Sequence, residues 1–405
     1  MAKQITNAEL INAIVEGASY SDRIPLATQS NLSDVADAIL NYAPAKNDVL
    51  SALYNKIALT IINSMEFDNP FDRFRRADIN YGDTLEDIFV DIPESYEYDH
   101  TNTNPFAQVT PDVKALYSVI NKQLQYEQTI WDAEFRRALR SPYGLDTLVN
   151  KIINSLNVAS RVDDFLIAKE LLSQEGSFGK VVYMGAESGT PATDGKTLLD
   201  AIKNASAGMK FPSRQFNQQG VMQNTPMDRQ ILVISSKYKN IIDLDVLAGV
   251  YNLDKVDFKQ QIIEIDGFAD DEIGAVLIDE KFLNFHYALQ DGGLIYNPKA
   301  LATNHFWNSW SINTVSLFQN AVMFKFHDLI TLTITAGSHG SVSPASVVVP
   351  KGSKPAITDN VIVINGTTIT ATADSGYVFD AWSGATDDTA INSSTTITAS
   401  FTSAA

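Results

Sequence analysis

Between residues 141 and 176 apolar side chains return at steps of three and four: Leu145, Leu148, Val149, Ile152, Ile153, Leu156, Ala159, Val162 and Leu166. That spacing is the stripe of one helix face. Pro142 and Asp146 stand near its start and Gly176 near its stop, as helix ends prefer. The pattern predicts a spine helix over 143–176; about 28 helical residues would make a rod of roughly 42 Å. Ahead of it, shorter helical patterns cover 1–65. Thr6 with Glu9 forms a capping-box pair, Ser33 opens a second helix, and a third apolar stripe fills 46–65. Such short helices suit an arm lying over something else.

From Glu66 to about Asp112 the period changes to two, punctuated by Pro93, Pro105 and Pro111. This predicts a long β-hairpin or extended loop without a core of its own, a form that is usually functional. Residues 113–140 read as helical again. After the spine come a strand at 180–185, a helix at 195–206, a strand at 230–235, a helix over 236–252, and strands at 260–266 and 274–280. Strand-like segments follow up to Phe326. Helices and strands mix without a regular βαβ repeat, so the class is α+β. Beyond Phe326 short alternating runs, rich in Thr, Ser, Ala, Val and Gly, predict a separate small all-β domain over 328–405.

Composition adds constraints. The 405 residues are 45% hydrophobic and 19% charged, ordinary globular values, and the length fits two or three domains. Thirty basic residues against 48 acidic ones leave a formal charge of -18, which gives no general attraction to nucleic acid. The chain has no cysteine, which excludes disulfides and thiolate chemistry. No secretory h-region and no apolar run long enough to span a bilayer is visible, so the expectation is a chain made in the cytosol with no membrane partner.

Candidate chemistry is sparse. His100, His286, His305, His327 and His339 form no zinc signature. In the segment 185–197 the spacing from Gly189 to Gly195 is one residue off a phosphate loop, and no Gly-x-Ser-x-Gly elbow occurs. The acidic pairs Asp163–Asp164 and Asp270–Asp271 read as solvated faces, and Arg136, Arg137 and Arg140 as a salt-bridging helix face. The sequence predicts no enzyme, no cofactor and no metal.

The segment 68–92 stands apart. Phe71, Arg73, Phe74, Arg75 and Arg76 interleave aromatic and basic groups; after a turn at Gly82 comes an alternating acidic run through Glu86, Asp87 and Asp91. "NPFDRFRRADINYGDTLEDIFVDI" resembles the start of the extended loop in major capsid proteins of short-tailed phages of the phi-twenty-nine type. The resemblance continues in order through "RIPLAT" (23–28), "QTIWDAEFRRAL" (128–139), "LDVLAGVYNLDKVDF" (244–258), "IDGFA" (265–269) and "FQNAVMF" (318–324). At the other end, "GSVSP" (340–344), "TITATADSGYVFDAWSG" (368–384) and "TITASFT" (396–402) resemble an internalin-type B-repeat.

The resemblance implies a Hong Kong ninety-seven-type fold and a virion protein. On this chain it implies an N-terminal arm over 1–65, an extended loop over 66–112, and a peripheral domain from 113–189 and 286–327. An axial domain falls at 190–285. The function it implies is self-assembly as pentamers and hexamers into an icosahedral head around packaged DNA, without sequence-specific DNA contact. The implied partners are a separate scaffolding protein, a portal or connector, and head fibres or decoration proteins. Arg73, Arg75 and Arg76 are expected to pair with carboxylates of a neighbouring copy, since arginine's planar fork suits them. Phe71 and Phe74 would anchor there, and Glu86, Asp87 and Asp91 complete the expected contact set. In the terminal domain Tyr377, Phe379 and Trp382 are expected to form a minimal aromatic core. The competing readings are a surface or tail adhesin binding host glycans through that domain, and a cellular compartment shell.

Overall fold

The structure is a computed structural model. Its described residues are 7–16, 24–28, 30–40, 67–80, 82–93, 95, 110–133, 137, 144–239 and 262–404. The predicted helix over 46–65, most of the one over 236–252, His100, Arg136, Arg140 and the motif at 244–258 lie outside them.

In chain order come α1 (Asn7–Val15), α2 (Leu32–Leu40), β1 (Leu85–Val90), β2 (Val113–Ser118), β3 (Lys122–Trp131) and α3 (Gly144–Ser173). Next are β4 (Lys180–Tyr183), α4 (Pro191–Met209), β5 (Gln230–Ser235), β6 (Ile262–Ile265) and β7 (Ile273–Asp279). The strands β8 (Leu283–Asn297), β9 (Ala302–Val315) and β10 (Ala321–Lys325) precede the terminal domain. That domain holds β11 (Leu329–Ala336), β12 (Gly340–Ser343), β13 (Ser346–Pro350), β14 (Ala356–Thr358), β15 (Val361–Ile364), β16 (Thr367–Ala373), β17 (Tyr377–Ser383) and β18 (Thr395–Ser403). The α+β class expected from the pattern is the class observed. Two compact units divide the chain: 1–171 with 283–316, and 172–282 with 317–405.

In the first unit an antiparallel sheet in the order β3-β9-β8 carries the hairpin β1–β2 and helix α3. The helical reading of 113–140 is overturned over 113–131. Over 113–131 the burial alternates with period two, as β-strands and not a 3.6-residue helix require. The spine helix spans 30 residues, but its apolar stripe is only partly covered: Leu156 is buried, whereas Val162 and Leu166 are exposed. The polar side of α3 takes their place against the sheet. Lys122 Nζ contacts Asp164 at 2.6 Å, and the Tyr126 hydroxyl donates to Asp163 at 2.6 Å. Asp163–Asp164 is therefore not the solvated pair the sequence suggested. Burial and the Asp163 carboxylate push the Tyr126 pKa upward. Nearer the N-terminus, Asn12 holds the segment 24–28 through two bonds to the backbone of Ala27, at 2.7 and 2.9 Å.

In the second unit five strands lie in the order β4-β10-β7-β5-β6. β5, β7 and β10 are buried along their whole length, the pattern of strands covered on both faces. Leu198, Ile202 and Met209 of α4 pack on Leu232, Ile234, Leu277, Val322 and Phe324. Strands β4 and β10, grouped from sequence with the spine helix, are hydrogen-bonded into this sheet. The segment resembling a phosphate loop is the lead into α4, with Gly195 inside the helix.

The terminal domain pairs two four-stranded sheets, β13-β11-β18-β17 and β12-β16-β15-β14. Its core is aliphatic: Ile330, Leu332, Ile334, Val347, Val349, Ile362, Ile364, Ile369 and Ile397. The expected aromatic core is thus corrected. Tyr377, Phe379 and Trp382 are only half-buried, with Trp382 packed at the margin of the aliphatic cluster. The physical reason is alternation: on each strand the β-branched residues already fill the inward positions of a domain of this size.

Candidate inter-subunit surface

The segment 67–92 is fastened at its base and uncovered at its end. Asn69 caps a 3-10 turn over Pro70–Phe74, its side chain accepting from the Phe71 N–H at 3.0 Å, with Pro70 as the first residue. The turn aims Phe71 and Phe74 inward, where each is 1% exposed. Phe71 meets Phe165 of α3 at 5.8 Å between ring centres, and Phe67 meets the same ring edge-on at 5.7 Å. Phe71 and Phe74 therefore fill their own chain's interior, and the expectation that they anchor on a neighbour is corrected.

Arg75 is also engaged within the chain. Its guanidinium bonds Asp72 at 3.2 Å and the Tyr287 hydroxyl at 2.6 Å, and lies 4.3 Å from the Tyr287 ring centre. The Tyr287 hydroxyl in turn donates to Asp164 at 2.6 Å. Burial, then the Asp164 carboxylate, raise the Tyr287 pKa despite the nearby arginine. Arg161 of α3 joins the same cluster, donating to the Phe67 carbonyl at 3.1 Å and pairing with Asp72 at 3.3 Å. Beyond Arg75 the backbone runs along β8. The Arg76 N–H donates to the Phe285 carbonyl, and the Ile79 N–H to the Tyr287 carbonyl, both at 2.9 Å. Arg73 and Arg76 have exposed side chains.

The hairpin then projects with two unlike faces. Leu85, Asp87 and Phe89 of β1 and Lys114, Leu116 and Ser118 of β2 are half-buried. Ser316 donates to Asp87, and Ser118 meets Thr314 at 3.1 Å, so this face is tied to the end of β9. The opposite face holds Glu86, Ile88 and Val90 across from Tyr117, Ala115 and Val113. Ile88, Val90, Val113 and Tyr117 are 52–68% exposed there, and Ile92 and Val119 extend the strip. The Tyr117 hydroxyl donates to Glu86 at 2.7 Å at its edge, and Glu86 raises the Tyr117 pKa. Asp91 is buried and accepts from the Ile92 N–H at 2.8 Å.

Of the eight expected contact residues, the structure places Arg73, Arg76 and Glu86 outward and assigns Phe71, Phe74 and Asp91 to the interior. Arg75 and Asp87 bind their own chain. Sequence reasoning overlooked Ile88, Val90, Val113 and Tyr117, because it weighed the charges of this segment above its apolar side chains. The available signal was a hairpin apolar on both faces with only two strands to cover them. Among the described residues no cluster of His, Asp and Glu is arranged to hold a metal ion, and no helix is long and apolar enough to cross a membrane.

The chain is similar to known proteins over most of its length. The chain is 29% identical over 365 residues to the major capsid protein of Bacillus phage PZA, covering 88% of this chain and 80% of that protein. It is 26% identical over 343 residues to that of Streptococcus phage Cp-1, covering 78% and 94%. Among solved structures, the capsid of Staphylococcus phage Andhra aligns with a TM-score of 0.49 at 12% identity, over 66% of this chain and 86% of that one. The capsid of cyanophage P-SCSP1u gives 0.47 at 8%, over 64% and 88%. Residues 330–405 match the divergent InlB B-repeat domain. Residues 11–325 match the Phi29-like phage major capsid protein, and by this match the chain belongs to that family.

Proposed function

We propose that this chain is the major head protein of a phage, and that copies associate as pentamers and hexamers into a closed icosahedral shell around packaged DNA. The observation that carries the reading, beside family membership, is the apolar strip on β1–β2, where Ile88, Val90, Val113 and Tyr117 are 52–68% exposed. Apolar surface of this kind marks an interaction site, and here the occupant is a second copy. A point-symmetric shell repeats one modest contact many times, so closure makes it collectively stable. Arg73 and Arg76 at the base of the hairpin supply charged contacts to the same neighbour, which sets register more than strength.

In this reading 1–65 is the arm, the loop runs from 66 through the end of β2, the spine helix and β3-β9-β8 belong to the peripheral domain, and the five-stranded sheet with α4 belongs to the axial one. The acidic chain lines the head without gripping DNA. A separate scaffolding protein, a portal and head fibres are the further partners. The virion components of the relatives are structural proteins, and the chain's role is structural rather than catalytic. The test is electron microscopy of the expressed chain, alone and with its scaffolding protein. Closed shells or hexagonal sheets are expected; a chain that stays monomeric under both conditions would overturn the reading.

A further inference from the structure

The nine buried core residues of the terminal domain are aliphatic, and Phe379 and Trp382 stand half-buried at the margin of that core, each with part of its ring facing outward. Phe379 and Trp382 lie 5.5 Å apart between ring centres, tilted by 51°, and line an open cleft of about 720 Å³. That volume is in the range of small-molecule sites. The polar members of the lining are Asp359, Asn360, Asp380, Thr386 and Asp387.

Several of these groups are held in place. Asp380 accepts from the Ser400 hydroxyl at 3.1 Å through one oxygen, and Asp387 accepts from the Ile357 N–H at 2.8 Å through one oxygen. In each the second oxygen is left to accept from a ligand; the Ser400 hydroxyl is shared between Asp380 and the Ala381 carbonyl, at 3.0 Å. Asn360 is oriented by its amide donating to the Ala371 carbonyl at 2.8 Å, and Trp382 by its indole N–H donating to the Asp359 carbonyl at 3.1 Å. The lining has three carboxylates and no base.

We propose that this cleft binds a neutral oligosaccharide. Aromatic faces cover the apolar C–H side of a pyranose, and pre-anchored carboxylates accept from its hydroxyls as charge-assisted hydrogen bonds. A pre-formed site limits the ordering cost of binding. The three carboxylates repel uronates, sialylated chains and phosphate-bearing polymers. Selectivity for uncharged sugars is the signature of the site.

The inference does not depend on shell assembly, so the full-length chain is tested directly. Ligand-observed NMR would titrate cellotetraose, an N-acetylglucosamine tetramer and the anionic tetragalacturonate. Binding of at least one neutral tetramer is expected, with no binding of tetragalacturonate. Asp380→Ala and Asp387→Asn, which leave the aliphatic core untouched, should each weaken it by about tenfold without lowering the melting temperature. Failure of both neutral tetramers at about 10 mM, equal binding by the variants, or preference for tetragalacturonate would overturn the proposal.

Discussion

The hairpin β1–β2 and the terminal domain are both made of short alternating strands, yet they solve burial in opposite ways. The terminal domain has eight strands, enough to fold two sheets face to face and sequester nine aliphatic side chains. The hairpin has two strands, ties one face to its own chain, and leaves Ile88, Val90, Val113 and Tyr117 outward. A two-stranded ribbon has no second layer, so its other face stays open until something else covers it. The lesson is that apolar content does not distinguish a self-sufficient module from an arm; the number of strands available to cover it does.

The comparison breaks most sharply under charge insertion. Ile88→Asp combined with Val113→Asp should abolish closed shells, since a carboxylate would be buried unpaired at the contact. Because both sites are exposed in the chain itself, its melting should shift only by about 0.5 kcal/mol. The opposite experiment is removal of residues 328–405, which should leave shell formation intact; loss of shells on truncation would mean the module is part of the contact.

Within the module, Leu332→Ala should destabilise the domain by about 2–5 kcal/mol through the cavity it leaves. Differential scanning calorimetry should show the change in the module's transition while shells still form.

The arginines sharpen the distinction between internal and external roles. Arg75→Ala should lower the stability of the single chain by about 1 kcal/mol, because it removes the contacts to Asp72 and the Tyr287 ring. Arg76→Ala should lower the salt tolerance of shells by more than it lowers chain melting. Denaturant unfolding and salt-dependent light scattering separate the two.

The smallest effect is expected where the module meets the five-stranded sheet. His327 directs one ring nitrogen at the Lys351 carbonyl, at 3.0 Å, and the other at the Glu272 carboxylate, at 2.8 Å. Both partners only accept, so the ring fits best as imidazolium. The Lys351 carbonyl is the main cause of a raised pKa; Glu272 adds to it, against burial and Lys325. A raised folded pKa means stabilisation that is complete below the ordinary value of 6.5 and disappears as pH rises through the folded value. Melting of the wild-type chain should therefore fall relative to His327→Gln as pH rises above the ordinary value of 6.5. Parallel pH profiles would remove this role.

Much of the fold could be read from periodicity. α4, β5, β7 and the alternating strands after Phe326 announce themselves because their side-chain pattern matches their burial; the spine helix announces itself by its period alone, since Val162 and Leu166 of its stripe are exposed. The misreading of 113–131 has a physical source. Residues 113–131 mix polar and apolar groups on both faces, with Lys122 buried against Asp164, so local hydrophobicity follows neither template cleanly. The arginines of 73–76 were conspicuous in sequence, but whether they face inward or outward depends on Tyr287 and Asp164, far away in the chain. The aromatic residues of 377–382 attract attention as a core until the aliphatic positions of eight strands are assembled in space.

The central claim is that the open face of β1–β2 is covered by a second copy of the chain. Cryo-electron microscopy of assembled particles, with the Ile88→Asp and Val113→Asp double variant processed in parallel, tests it most directly. The account predicts closed shells in which Ile88, Val90, Val113 and Tyr117 are buried against a neighbour, and no shells from the variant. Shells in which that face remains solvent-exposed, or a variant that assembles normally, would contradict it.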